Sequence, residues 1–382
     1  MKIVVAPDSF KGSVSAFKAA IAMEKGVKSV FLRARVIKVP IADGGEGTVE
    51  AMVAAAGGNI QYELVRGPLQ KEVKAAWGLI DKGETAVIEM AAASGLTLVE
   101  KEQRDPRITT TYGTGQLILA ALQAGAKRII IGIGGSATND GGMGMLKALG
   151  VKFLDAKGEQ LAEGGSSLKK LAAIDTTGLD ARLKDCEIVV ACDVDNPLCG
   201  SQGAAASFGP QKGATTAMIA ELDAALYHYA QIAKMATGKD MAAYPGAGAA
   251  GGLGAGLLFF TNAKLCPGVD IILESVGFAA LMASTNLVIT GEGCTDFQTA
   301  HGKAPVGVAK LAKQFGVPVV CLSGSLGKEA ESVLNMGIDG LMSVIPGPMN
   351  LEECIINGEV LIESAAARLC RLLKTGILLA GS

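Results

Sequence analysis

Short β-branched runs alternate with helical stretches at both ends of this chain, a pattern that specifies an α/β protein with a mainly parallel sheet. Lys2 to Ala6 and Arg35 to Ile41 read as strands, with helical periodicity from Ser15 to Val30 and from Thr48 to Ala56. Toward the C-terminus, strands are expected at Leu287 to Thr290, Val317 to Leu322 and Gly340 to Val344. Helices are expected at Val306 to Phe315, at Lys328 to Met336 and from about Leu351. At 382 residues the chain exceeds one ordinary core, so two domains are expected.

Five strands drawn from the two ends give one doubly wound, parallel-sheet domain of flavodoxin-like order, spanning 1–62 and 285–382. The long middle, 63–284, then reads as an inserted second α/β domain, with the active site in the cleft between the two. Ligands of open α/β sheets bind beyond the carboxyl ends of the strands, where strand order reverses. In a flavodoxin-like order that point lies between the first and third strands. Here they end at Pro7-Asp8-Ser9-Phe10-Lys11 and at Gly291-Glu292-Gly293 with Asp296. Capping of the following helix is the plainer role for Asp8 and Ser9, and Ser13 or Ser15 can also fill it.

Four glycine-rich stretches, three of them acid-bearing, each read as following an apolar strand. They are Asp43 to Gly47, Gly132 to Gly144 with Asn139 and Asp140 inside it, Gly246 to Gly256, and Gly291 to Asp296. Glycine lets backbone N–H groups approach a polyanion, and a carboxylate nearby can hold the cation that accompanies a phosphate. The pattern suits a nucleoside triphosphate with its metal. Asp193 and Asn196 follow the apolar strand Glu187 to Ala191, Lys212 lies in Gly209-Pro210-Gln211-Lys212-Gly213, and Gly302-Lys303 opens a helix at Pro305 as an anion site. The plainer alternatives are an Asx-turn, a solvated loop charge and an ordinary surface lysine.

Arg128 to Ile133 followed by Gly134-Gly135-Ser136-Ala137 is a relaxed dinucleotide fingerprint, and Asp155 ends the next strand where a ribose-binding acid would fall. An NAD(P)-dependent oxidoreductase acting on a small hydroxy acid is therefore a competing reading. Against it, Thr138-Asn139-Asp140-Gly141-Gly142 lengthens the turn and suits phosphate oxygens, a metal or a polyhydroxy acid. A non-catalytic sugar-acid or nucleotide sensor is the third reading.

A net charge of -2 with interspersed acids and bases gives no case for nucleic acid or an anionic membrane, so the partner is expected to be a small molecule. Eight cysteines include no CxxC pair, and only His228 and His301 could join them in a zinc site, which reads as reduced thiols. The apolar stretch before Pro7 is too short for a signal peptide and no long uncharged span follows, so the cytoplasm is expected.

APDSFKGSVSA, ADGGEGT, IGIGGSATNDGG, CDVDNPLCG with FGPQKGA, PGAGAAGG, and TGEG followed by Asp296, Gln298 and HGKAPVGVA run in order along the chain. Together they resemble the glycerate kinase type 1 family, the bacterial glycerate 2-kinases, from Met1 to the last helix. The resemblance implies ATP-dependent phosphorylation of D-glycerate, Mg2+ as cofactor, 2-phosphoglycerate favoured over 3-phosphoglycerate, and a flavodoxin-like domain interrupted by a second α/β domain. Cys294, Thr295 and Phe297 depart from that pattern. There is no GxxxxGK[ST] loop and no HRD or DFG set, and with two histidines available a carboxylate base is expected.

On the loop chemistry and these motifs, Asp193 is the first choice for the base, with Asp296 and Asp8 as rivals, and Asp43 and Glu46 are the Mg2+ candidates. Lys11, Lys212 and Lys303 would hold the substrate carboxylate and the triphosphate, in an order left open. Ser9, Ser136, Asn139, Asp140 and Asn196 would contact glycerate. Gly246, Gly248, Gly251, Gly252, Gly291, Glu292, Gly293 and Gln298 would contact the nucleotide. A monomer and a homodimer both stay open.

Overall fold

The computed structural model describes residues 1–41, 45, 47–301 and 303–380. In chain order the strands are β1 (Lys2–Pro7), β2 (Arg35–Lys38), β3 (Gly58–Arg66), β4 (Glu72–Ile80), β5 (Thr85–Glu89) and β6 (Arg128–Gly132). There follow β7 (Lys152–Leu154), β8 (Ala173–Asp175), β9 (Glu187–Ala191), β10 (Lys264–Cys266), β11 (Leu287–Thr295), β12 (Val319–Leu326) and β13 (Gly340–Ser343). The chain divides into two compact units, each described here by itself.

The first unit holds a five-stranded sheet of order β13-β12-β11-β1-β2, parallel throughout. This is the flavodoxin-like order expected from the two chain ends. Ile3, Val4 and Val5 are all fully buried, as befits a parallel strand covered on both faces. Ser15 caps the helix Ala16–Val30, its side chain accepting the Lys18 N–H at 3.4 Å. That helix packs on Gly358–Ala380, where a Cβ on Gly26 would overlap the Glu363 carbonyl oxygen, so only glycine permits the crossing.

The second unit holds a six-stranded sheet of order β10-β9-β6-β5-β4-β3. Its β5, β6, β9 and β10 run parallel and β3 and β4 form an antiparallel edge. Ile88, Ile131, Val190, Phe153, Tyr229 and Phe259 belong to one continuous core. Every residue of the helix Ala249–Phe260 is buried.

Several expectations shift in detail. β3 belongs whole to the six-stranded sheet, and the second unit takes in Gly57–Gly268 together with the short stretch 44–49, where one boundary after residue 62 was expected. The later boundary falls at Gly268, because Val269 packs into the gap left by Gly307 on the helix Ala304–Gln314. Gly291-Glu292-Gly293 is strand, not loop: Gly291 and Glu292 pair with Leu322 and Ser323 of β12. The Gly246 to Gly256 run follows the long helix Thr216–Thr237 rather than a strand. Lys328 to Met336 contains a 3-10 turn, Ala330–Met336, in place of an α-helix.

Candidate active site

Within the first unit, the ends of β1 and β11 lie side by side: Pro7 is in register with Gly291, and the Asp8 N–H donates to the Gly291 carbonyl at 2.8 Å. Asp8 is buried and its Oδ1 accepts the Ser9 N–H at 2.6 Å. A Cβ on Gly293 would come within 3.2 Å of the Lys11 backbone nitrogen, so Phe10 and Lys11 run directly over β11. Asp8, Ser9, Lys11, Gly291, Glu292 and Gly293 therefore converge at the reversal point the strand order defines.

Glu292 is buried, and its Oε1 accepts the hydroxyls of Thr295 at 2.9 Å and Thr299 at 2.7 Å. Burial pushes its carboxyl above the usual range, opposed by those two hydroxyls and by Lys303. Thr295 also bonds to the Ser323 hydroxyl at 2.6 Å, so this departure from the family pattern fixes Glu292 to β12. Cys294 and Phe297 are exposed. Asp296 accepts the N–H groups of Gln298 at 2.9 Å and Thr299 at 3.3 Å and pairs with Lys303 at 3.8 Å. Lys303 occupies the N-cap of the helix Ala304–Gln314, with Pro305 in its first turn.

In the second unit the loop after β6 is the polar centre. Lys212, a candidate from the sequence to hold the substrate carboxylate or the triphosphate, is buried in a 3-10 turn, Pro210–Lys212. Its ammonium donates to the Thr138 carbonyl at 2.6 Å and the Ser136 hydroxyl at 3.4 Å. Burial pulls its pKa from 10.5 down to about 7, and the nearby Asp140 carboxylate opposes that shift. Asn139 is fully buried, and neither its Oδ1 nor its Nδ2 has a partner among the described residues. An orphaned buried amide costs free energy and fits a site that a polar ligand completes.

Asp140 has structural work. It is fully buried and accepts the N–H and hydroxyl of Thr111, both at 2.9 Å on Oδ2, and the N–H groups of Gly142 and Gly144, each at 3.1 Å. Burial raises its pKa against those donors. Asn196 is likewise committed, its amide donating to the Gln202 carbonyl at 2.7 Å and the Ser207 hydroxyl at 3.0 Å. Asp193, exposed at the end of β9, has its Oδ1 held by the Gly268 N–H at 2.9 Å.

The glycines at 246, 248, 251 and 252 lie close against protein atoms. A Cβ on Gly251 would overlap the Thr138 carbonyl oxygen, and one on Gly248 the Pro197 carbonyl oxygen. The N–H groups of Gly248 and Gly252 are spent on the carbonyls of Asn196 and Gly248. Glycine is what permits this close backbone approach. The dinucleotide fingerprint also fails its structural context: β7 does not join β6 in the parallel sheet but pairs antiparallel with β8.

Asp43 and Glu46 lie outside the described residues. Among the described residues no three His, Cys, Asp or Glu cluster as a metal cage. Magnesium does not require one, since it is bound through one or two carboxylates together with phosphates and water. Glu292 and Asp296, hard oxygen donors close enough to repel each other electrostatically, fit that chemistry. All eight cysteines are free thiols. Glu89 is a site-edge residue the sequence reading passed over: a buried carboxylate at the carboxyl end of β5 whose Oε1 accepts the Val49 N–H at 2.7 Å. An acid closing the apolar run Ala86-Val87-Ile88 was the available signal.

Lys212 yields a pH prediction. Its folded-state pKa is depressed, so the stability it contributes is fully present above the ordinary value of 10.5 and is lost as pH falls through about 7. Urea titrations of wild type and Lys212→Met from pH 6 to 9 should show wild type gaining relative stability above pH 7, by at most about 1.4 kcal/mol per pH unit. A difference that stays flat over that range contradicts the buried lysine.

The sequence profile of the Glycerate kinase family matches residues 3–374. A Bacillus subtilis (strain 168) protein named glycerate kinase is 52% identical over 374 residues, 98% of each chain. An Escherichia coli (strain K12) protein named glycerate 2-kinase is 51% identical over 381 residues, 100% of each chain. The crystal structure of a provisionally named glycerate kinase 2 from Salmonella typhimurium LT2 superposes with a TM-score of 0.90 at 49% identity, covering 99% of both chains.

Proposed function

This chain belongs to the glycerate kinase family, and we propose that it transfers the γ-phosphoryl group of ATP to D-glycerate with Mg2+, giving 2-phosphoglycerate in preference to 3-phosphoglycerate. The observation that carries this reading is the end-to-end likeness, at 51% identity, to a protein named glycerate 2-kinase. The oxidoreductase and sensor alternatives fall away with the family.

Phosphoryl transfer asks a protein for alignment and for stabilisation of charge that develops at the transferring group. Each unit carries residues with a proposed role. In the second, Ser136 and the unpartnered Asn139 amide receive the hydroxyls and carboxylate of glycerate, with Lys212 holding their loop and supplying positive charge. Asp193, its direction set by the Gly268 N–H, takes the proton of the attacking hydroxyl, with Asp296 and Asp8 as rivals. In the first, Lys11, Gly291, Gly293, Gln298 and Lys303 are the candidates to contact the triphosphate, and Ser9 a candidate to contact glycerate. Asp43, Glu46, Glu292 and Asp296 are the candidates to hold Mg2+, which supplies charge neutralisation between the phosphates when bound. Asp140 anchors the glycerate loop to Thr111, while Asn196 ties its own loop to Gln202 and Ser207.

No described helix is long and apolar enough to cross a membrane, and the cytoplasm remains the proposed location. Phosphorus NMR of a mixture of protein, D-glycerate, ATP and Mg2+ tests reaction and regiochemistry together. The expected spectrum gains ADP and a 2-phosphoglycerate resonance; a 3-phosphoglycerate resonance reverses the regiochemistry, and no phosphoglycerate removes the kinase reading.

A further inference from the structure

The Thr299 hydroxyl makes two bonds just beyond the carboxyl end of β11. The residue is fully buried and opens the 3-10 turn Thr299–His301, between Asp296 and the helix Ala304–Gln314. Its Oγ1 accepts the Asp296 N–H at 3.2 Å, while its own N–H donates to Asp296 Oδ1 at 3.3 Å. Two residues three apart thus exchange bonds as in a capping box, and the turn that presents Asp296 is closed by its own side chains. The proton of the same hydroxyl goes to Glu292 Oε1 at 2.7 Å.

The neighbouring hydroxyls point the same way. A hydroxyl has one proton to give. Thr295 gives its proton to Glu292 Oε1 at 2.9 Å, so in its 2.6 Å contact with the Ser323 hydroxyl it accepts. Ser323, having donated, accepts from the Cys321 thiol at 3.5 Å. All of these residues are buried, where a made hydrogen bond is stronger than in water and an unmade one is costly. Two donors therefore converge on Oε1, and among the described residues no hydrogen bond reaches Oε2, the oxygen left for a ligand. Asp296 and Glu292 repel each other, so fixed donors are what keep two such acids side by side.

We propose that Thr299 is a positioning residue for the magnesium nucleotide: one hydroxyl ties Glu292 to the turn that carries Asp296, holding the two carboxylates in a fixed mutual orientation with Glu292 Oε2 available to the ion. This rests on the reading of Glu292 and Asp296 as magnesium candidates given above. Thr299 acts through Glu292 rather than on the ion. Serine keeps the hydroxyl; valine puts a methyl group in its place.

Electron paramagnetic resonance titration of Mn2+, with a non-hydrolysable ATP analogue present, reads the ion without reference to turnover. The dissociation constant should rise about tenfold in Thr299→Val, as for other groups that orient a metal ligand, and stay within about threefold of wild type in Thr299→Ser. Glu292→Gln should weaken Mn2+ by about tenfold or more. Adding Thr299→Val to it should cost less than about a further threefold, because the carboxylate that the hydroxyl orients is already gone. Thr295→Val removes the other donor to Oε1 and should weaken Mn2+ by about threefold or more, which keeps the test decisive if Thr299→Val does not fold. Wild-type Mn2+ affinity in the folded valine variants overturns the proposal, as does a Thr299→Ser variant as weak as Thr299→Val. So does an equal loss from Thr299→Val with and without Glu292→Gln. A Glu292→Gln variant with full Mn2+ affinity overturns the magnesium reading of Glu292 instead, and the role of Thr299 with it.

Discussion

Replacing Asp193 by Asn is expected to lower kcat for D-glycerate phosphorylation by about 10²- to 10⁴-fold, the usual worth of a positioned general base. The change suits the question because asparagine keeps an Oδ1 that can accept the Gly268 N–H, now made at 2.9 Å, so the loop after β9 stays in place while the proton acceptor is lost. Nucleotide affinity should be unchanged, since Asp193 belongs to the second unit and the proposed triphosphate contacts come from the first. A coupled assay for ADP release, with a separate titration of nucleotide, separates the two quantities. Near-normal turnover would transfer the role to Asp296 or Asp8. Asp296→Asn is the informative next variant, because asparagine can still accept the Gln298 and Thr299 N–H groups while the 3.8 Å pairing with Lys303 loses its charge.

The largest stability effect is expected from Gly251→Ala. Gly251 has φ of 67°, a left-handed conformation costing an L-residue about 1–2 kcal/mol by itself. The added methyl would also overlap the Thr138 carbonyl oxygen and crowd the Asn139 Cα at 2.5 Å. Neither backbone can easily yield, because the Gly141 N–H is bonded to the Gly251 carbonyl at 3.0 Å. A loss above about 4 kcal/mol is expected, a large part of the roughly 5–15 kcal/mol that ordinarily holds a protein folded. Gly376→Ala is the control: it lies in the helix Gly358–Ala380 with open space at its Cβ, and alanine there should stabilise by about 0.5–1 kcal/mol. Thermal melts of the two variants test both; a Gly251→Ala protein that melts with wild type would mean the two segments are not locked.

The pairing of β1 with β11 is legible because parallel strands covered on both faces must be apolar at nearly every position, and Ile3 to Ala6 and Leu287 to Ile289 are. The same rule misleads at Gly291 to Gly293. Those glycines read as a loop, yet Gly291 remains in the strand because a Cβ there would overlap the Leu322 carbonyl oxygen. The burial of Lys212 is not legible for a different reason: Gly-Pro-Gln-Lys-Gly is turn chemistry, and nothing local reveals that the turn is covered and its ammonium directed at Ser136, 76 residues earlier in the chain. Asn139 and Asp140 are neighbours with opposite fates, the amide unpartnered and the carboxylate saturated. Which is which depends on Thr111 and Gly144, a relation no spacing encodes.

The adjacency of Ala6 and Thr290, 284 residues apart, dictates an order of assembly. Domains generally fold as units during synthesis, N-terminal ones first. Here β1 and β2 leave the ribosome first but lack the strand that must lie beside them, whereas the contiguous stretch Gly57–Gly268 holds a complete core of its own. The segment made first is therefore among the last to settle, its unpaired edge open to other nascent chains until β11 arrives. The closing entropy of so long an excursion grows only logarithmically with its length, so the interruption is a hazard of timing more than of final stability.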